Sequence, residues 1–229
     1  LHSVVTATWP AARVWRVGPV TLRDGQGGGS RASAATVAGD WDEADIAAAE
    51  AQMARPLFMV RDGEARLDGV LAARGYAVMD PVVGYAAEVA SMAVERPPPV
   101  TTFEVWPPLA AQEEIWAEGG IGPARLAVME RAAGPKVSIL GRLDDSPAGT
   151  VFVAMDQGVA MVHALEVRPG FRRRGLGAHM VRAAAFWAGA QGVGWLALVV
   201  TEANAGARVL YQGMGMQEAG RYHYRVRAT

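Results

Sequence analysis

Cysteine is absent from the 229 residues, which excludes disulfides and thiolate metal sites together. Histidine is scarce: His2, His163, His179 and His223 show no paired ligand spacing, so no metal cofactor is expected. No uninterrupted apolar run reaches the roughly 18 residues of a spanning helix, and the chain does not open on a basic segment followed by an apolar one. A cytoplasmic protein without a membrane partner is therefore expected. Neither sign of charge prevails, with 22 basic residues against 23 acidic and a net charge of −1. That balance gives no electrostatic footprint for nucleic acid. What the chain does have is 51% hydrophobic content, enough to bury a sizeable core, at a length that suits two small domains.

Taken in order, residues 14–23 and 30–37 read as strands joined by the flexible Gln26-Gly27-Gly28-Gly29. That glycine run is not read as a phosphate loop, because no helix is expected directly after it and no Lys-Ser or Lys-Thr closes it. Asp40, with Glu43 three residues on, reads as the cap of an acidic helix start. Residues 56–61 read as a short strand, residues 64–74 as a helix ended by Gly75, and residues 76–89 as a strand or hairpin. Pro97-Pro98-Pro99 can neither continue a helix nor donate to a sheet ladder, so residues 96–101 are taken as a stiff linker between domains of residues 1–95 and 102–229.

Beyond the linker a strand is expected from residue 103, helices over 109–116 and 123–133, and strands over 136–143, 149–156 and 159–167. A turn at Asp144-Asp145-Ser146-Pro147 joins the first two of those strands. Next comes Arg172-Arg173-Arg174-Gly175-Leu176-Gly177, then a helix with Leu176, Met180, Ala184, Trp187 and Gln191 at three- to four-residue spacing. A dense apolar strand follows at 195–200, a helix at 205–214 and a last strand at 221–227. Two strands joined through a helix of that length should be parallel. A strand feeding a glycine-punctuated turn into a helix presents unpaired N–H groups and the positive end of the helix dipole, so the Arg-Gly stretch is a candidate anion site.

Residues 102–229 resemble the GNAT superfamily of N-acetyltransferases. The resemblance is carried by Arg172-x-x-Gly175-x-Gly177 after a strand, by Asn204-x-x-Ala207-x-x-Leu210-Tyr211-x-x-x-Gly215-Met216 downstream, and by the order of elements around them. Met216 stands where Phe is more usual. The implied fold class is α/β (α+β): a mixed, mostly antiparallel twisted sheet with a central parallel strand pair, flanked by helices. The implied donor is acetyl-CoA. Its pyrophosphate would lie on Arg172, Arg173, Arg174, Gly175, Leu176, Gly177 and Ala178, and its pantetheine arm against Leu165, Val167 and Asn204.

The implied reaction is direct attack of an amine on the thioester, with Tyr211, protonated at neutral pH, donating to the departing thiolate. Glu166 and His163 are the candidate bases. Being three apart on one strand, they are expected on opposite faces. By the same resemblance Trp116, Ile121, Arg125, Tyr222 and Tyr224 are candidates for the acceptor pocket, and the acceptor is a small-molecule or peptide amine. A homodimer is allowed; a non-catalytic acetyl-CoA sensor is the alternative reading.

An offset of 140 residues brings Gly75-Tyr76 onto Gly215-Met216, Glu64 onto Asn204 and Leu71 onto Tyr211. The first half then reads as a degenerate, non-catalytic GNAT-like domain. Its acidic helix start at residues 40–45 would repel pyrophosphate, and Leu71 stands in place of a proton donor.

Overall fold

The computed structural model describes residues 1–227. In chain order the elements are α1 (His2–Thr8), β1 (Arg13–Val17), β2 (Val20–Asp24), α2 (Ser30–Ser33), β3 (Thr36–Val37), α3 (Glu43–Glu50), β4 (Leu57–Arg61), α4 (Ala65–Ala73) and β5 (Tyr76–Glu88). There follow α5 (Val89–Met92), β6 (Thr102–Val105), α6 (Ala110–Glu118), α7 (Pro123–Arg131), β7 (Lys136–Leu143), β8 (Ser146–Asp156) and β9 (Val159–Val167). The chain closes with α8 (Leu176–Ala190), β10 (Trp195–Thr201), α9 (Ala205–Gly213) and β11 (Gln217–Arg227).

Eight strands form one mixed sheet in the order β4-β11-β5-β10-β9-β8-β7-β6, and β1-β2-β3 form a small second sheet. A parallel bridge between Ala35 and Phe58 links the two. Within the large sheet β9 and β10 are the parallel pair, joined by α8, and the other neighbours run antiparallel. The expected mixed sheet with a central parallel pair is therefore observed.

Helix α8 is the principal packing element. Leu176, Met180, Ala184 and Trp187 are buried as the spacing required, with Val181, Ala185 and Ala188 beside them. Its first turns sit low on the sheet because the paired residues Gly141 and Gly149 leave room for Leu176 and Met180.

Strand β5 precedes the prolines in sequence but lies between β10 and β11, which follow them. The pairing has an internal regularity. Tyr222 faces Arg61 and Val82 faces Thr201; Val226 faces Leu57 and Ala86 faces Ala197. Each pair becomes the other on shifting by 140 residues, and Val82 and Tyr222, themselves 140 apart, face each other.

Local expectations differ from the structure at several points. Residues 14–23 make a hairpin that turns at Gly18, whose φ of 55° suits a glycine. Residues 30–37 split into α2 and β3, because β-branched residues begin only at Thr36. The acidic helix is capped by Asp42 rather than Asp40: Asp42 accepts from Ala44 N and Asp45 N while the Asp45 carboxylate accepts from Asp42 N. Strand β11 starts at Gln217, and α1 was not anticipated at all.

Candidate active site

The site begins where β9 and β10 part. Their pairing runs from Trp195 opposite Val159 to Leu198 opposite Val162 and stops there, although both strands continue. The cause lies on β9. His163 faces Phe152 and Glu166 faces Thr150, so three steps on β9 match two on β8. The extra residue is a bulge at Ala164, with φ of 51°. Trp116, fully buried, donates its indole N–H to the Ala164 carbonyl at 2.7 Å and holds the bulge in place. Bulging breaks the alternation, so His163 and Glu166 project on the same face, not on opposite faces.

After β9 a short 3-10 turn, Pro169–Phe171, leads to the Arg-Gly stretch. Gly175 adopts the left-handed conformation at the N-cap of α8, and Arg173 is left-handed too. His179 N makes the first intrahelical bond, to Gly175 O at 3.1 Å, and no side chain caps the helix. The amides of Leu176, Gly177 and Ala178 are thus the orphan donors of this helix.

They face a groove of about 580 Å³ whose walls include Leu165, Glu166, Val167, Asn204 and Tyr211. Every cofactor residue expected from the sequence lines it except Arg174. Arg174 is engaged by Asp144 at 2.7 and 2.9 Å, which ties the turn to the β7–β8 loop. Arg172 donates to Val167 O at 2.8 Å. Of the three arginines, Arg173 makes no side-chain hydrogen bond or ion pair among the described residues.

Asn204 caps α9, its side-chain oxygen accepting from Ala207 N at 3.1 Å. Two turns on, Tyr211 is 6% exposed, with its ring centroid 6.1 Å from that of Tyr85 on β5. Asn204 and Tyr211 both line the groove and the cleft between the parted strands. Burial, then the charge of Glu166, pushes the Tyr211 hydroxyl up to about 12. Glu166 is half-buried, and burial raises its carboxyl pKa while Arg172 and Arg125 pull it back down. It lies over Gly119, where a Cβ would come within 2.7 Å of the carboxyl carbon.

His163 has different surroundings. It is 2% exposed, between the rings of Trp9 and Phe152. Arg31 Nη1 lies 2.9 Å from Nδ1, and Thr8 Oγ1 lies 2.8 Å from Nε2. Arginine can only donate, so Nδ1 accepts and the proton sits on Nε2, which donates to Thr8. The Thr8 hydroxyl in turn donates to Val4 O. Burial and then Arg31 hold the His163 pKa well below its ordinary value. With both nitrogens engaged, the ring has none to offer an acceptor.

The family model described as Acetyltransferase (GNAT) family matches residues 100–216, slightly more than half of the chain. This chain belongs to the GNAT acetyltransferase family. A GCN5-related N-acetyltransferase from Kribbella flavida has a similar structure, with TM-score 0.69 and 20% identity over 96% of this chain and 90% of that one. A functionally unknown conserved protein from Staphylococcus epidermidis matches with TM-score 0.67 and 10% identity, over 96% and 94% of the two chains. A tandem GNAT protein from the clavulanic acid biosynthesis pathway matches with TM-score 0.65 and 13% identity, over 90% and 77%. At such identities the likeness is one of fold. No curated protein matches the sequence.

The groove of this GNAT protein fits the family's acyl donor on its own chemistry. It offers three orphan amides, Arg173 with no side-chain partner among the described residues, and Gly177, where a Cβ would stand 3.2 Å from Leu210 and narrow the wall. On the other side of the parted strands lies a second pocket of about 250 Å³. Ile121, Arg125, Tyr222 and Tyr224, four of the five residues expected around an acceptor, come together on its walls, whereas the fifth, Trp116, is core. Sequence reasoning missed Trp9 and Arg31 on its wall, because nothing local marks residues so distant in the chain as neighbours of His163.

Proposed function

We propose that this protein is an acetyl-CoA-dependent N-acetyltransferase acting on a primary amine of a small molecule or peptide. The observation that supports this most is the continuity of one groove from the uncapped first turn of α8 to Tyr211 and Glu166. Acetyl-CoA supplies an activated thioester. Leu176, Gly177 and Ala178 would hold its phosphates through their amides, Arg173 would add charge, and Asn204 would meet the pantetheine arm.

Glu166 acts as general base, directly or through water, taking a proton from the acceptor ammonium and passing it to solvent. Its raised pKa makes it a stronger base than an ordinary carboxylate. The amine nitrogen then forms the amide C–N bond as the C–S bond breaks. Tyr211 gives its proton to the leaving sulfur, and the second proton shed by the nitrogen restores the balance. His163 serves to position, not to react.

The first half we read as a non-catalytic GNAT-like domain. The 140-residue regularity of the strand pairing supports this, as does the likeness to a tandem GNAT protein. At the start of α3 the amides of Ala44 and Asp45 are already taken by the Asp42 carboxylate, whose charge would also repel phosphate.

Thiol release from acetyl-CoA over an amine panel tests the assignment. Glu166→Gln and Tyr211→Phe should each lower kcat by roughly 100-fold or more with little change in acetyl-CoA affinity. Glu166→Gln should also remove the acid limb of the pH profile. Wild-type rates in both variants would refute these roles.

A further inference from the structure

The pocket beyond the parted strands is lined by two guanidinium groups. It joins the cleft beside Tyr211 through shared walls at Arg31, Ala164 and residues 199–201. Arg31, from α2, lies with its guanidinium carbon 5.6 Å from the Trp9 ring centroid and one nitrogen on neutral His163. Its Nε is buried and has no partner. Arg125, from α7, lies over Gly29, where a Cβ would stand 3.5 Å from Nε. Its one hydrogen bond is a long 3.4 Å contact to Gly120 O. Among the described residues neither arginine has a carboxylate within ion-pair distance. Tyr222, buried on the same wall, has a hydroxyl that lies beside that of Tyr224 without a well-formed hydrogen bond among the described residues. Asp80, the only carboxylate lining the pocket among the described residues, is exposed.

Two part-buried guanidinium groups and a hydroxyl without a well-formed hydrogen bond in one concavity are expensive to leave empty, and their forked donors match a carboxylate. The volume of about 250 Å³ falls below the roughly 300 Å³ at which pockets for drug-sized ligands begin. We propose that the acceptor is an amino acid or another small amine that also carries a carboxylate, the carboxylate held by Arg31, Arg125 and Tyr222 and the amine directed toward Glu166, which projects from the same face of β9 as His163. This rests on the transfer reading above and narrows its acceptor. It also gives the N-terminal half a part in specificity, since Arg31 and Trp9 come from it.

The test pairs amino acids with their decarboxylated amines: phenylalanine with phenethylamine, lysine with cadaverine, alanine with ethylamine, and so through the common set. Acetyl transfer and calorimetric binding to the CoA-bound protein are both measured. The expected result is a preference of roughly 10- to 100-fold in kcat/KM for the carboxylate-bearing member of the best pair. Arg125→Met should erase that preference by raising KM for the amino acid far more than KM for the decarboxylated amine, while kcat for both members of a pair shifts together as Glu166 loses a neighbouring charge. Arg31→Lys, which keeps charge and loses the fork, should give part of the same loss. Turnover indifferent to the carboxylate, or favouring its absence, would overturn the proposal and leave the transfer reading standing. Arg125-dependent binding of amino acids without turnover would keep the carboxylate site and sink the transfer reading instead.

Discussion

Gly149→Ala is the sharpest steric test of how the donor groove is built. A Cβ at Gly149 would lie 2.8 Å from Met180 Cε, 2.9 Å from the Glu166 carbonyl oxygen and 3.2 Å from Leu176. Met180 Cε is the end of a flexible side chain and can move aside. The Glu166 carbonyl is backbone of β9 and cannot, so either β9 shifts or α8 lifts. Two opposing contributions set the magnitude. Losing a glycine restricts the unfolded chain and stabilises by about 0.4–1 kcal/mol. Overpacking a filled site costs about 1–3 kcal/mol. The net expectation is a loss of about 1–2 kcal/mol, read as a lower urea midpoint and a fall of roughly 2–8 °C in Tm. Because the displaced groups belong to the groove, KM for acetyl-CoA should rise roughly 10-fold. Gly69→Ala in α4 is the control: no atom lies within 4 Å of its Cβ position, so helix propensity alone should stabilise by about 0.8–1 kcal/mol. A Gly149→Ala protein as stable as wild type, with unchanged KM, would refute this account of why α8 sits where it does.

Three other perturbations have defined outcomes. Trp116→Phe leaves the Ala164 carbonyl without its indole donor and should cost about 1–3 kcal/mol, lowering kcat as the bulge loosens; retained stability and rate would show that the bulge holds without it. Asp42→Ala should remove about 1 kcal/mol of capping from α3 while leaving KM for acetyl-CoA unchanged, and a shift in that KM would show the two halves to be coupled. Below about pH 6.5 the unfolded chain binds a proton that buried His163 refuses, so stability is full above that pH and falls as pH drops, by up to about 1.4 kcal/mol per unit. His2 and His179 shift in the same direction, so the measurement is the difference in urea-derived slope between wild type and His163→Gln, and equal slopes would exclude His163 as a source.

Features set by local periodicity were legible in the sequence. Residues 136–143 and 159–167 were placed to the residue, α8 within one, and the parallel relation of β9 and β10 followed from the crossover helix between them. The Arg-Gly stretch was legible as an anion site because a strand, a glycine turn and a helix are contiguous there, whereas Leu165, Val167, Asn204 and Tyr211 entered only through the family resemblance. What escaped was decided by distant partners. The bulge at Ala164 adds a residue that side-chain alternation cannot reveal, because its stabilising donor is Trp116, 48 positions away. Arg31 gave no sign of a site, because only folding brings it to His163, 132 positions on.

The same reasoning explains why two helix starts of similar placement differ in chemistry. Both α3 and α8 leave a strand and lead toward one that runs parallel to it: β10 beside β9, and β4 beside the Ala35 bridge. At α8 the first turn is Leu-Gly-Ala, with no side chain that can bend back to its own amides, so the donors stay open to a groove. At α3 Asp42 and Asp45 complete a capping box, and the amides of Asp42, Ala44 and Asp45 are engaged by the helix's own carboxylates. Stability and ligand capacity therefore compete for the same few N–H groups. A capped start gains about 1 kcal/mol and binds nothing, while an uncapped one forgoes that stability until an anion arrives. The first half is not thereby dispensable. Its strand β5 separates β10 from β11, packs Tyr85 against Tyr211, and sets Val82 in the wall of the second pocket. A half whose helix start is capped by its own side chains still shapes the site of the other.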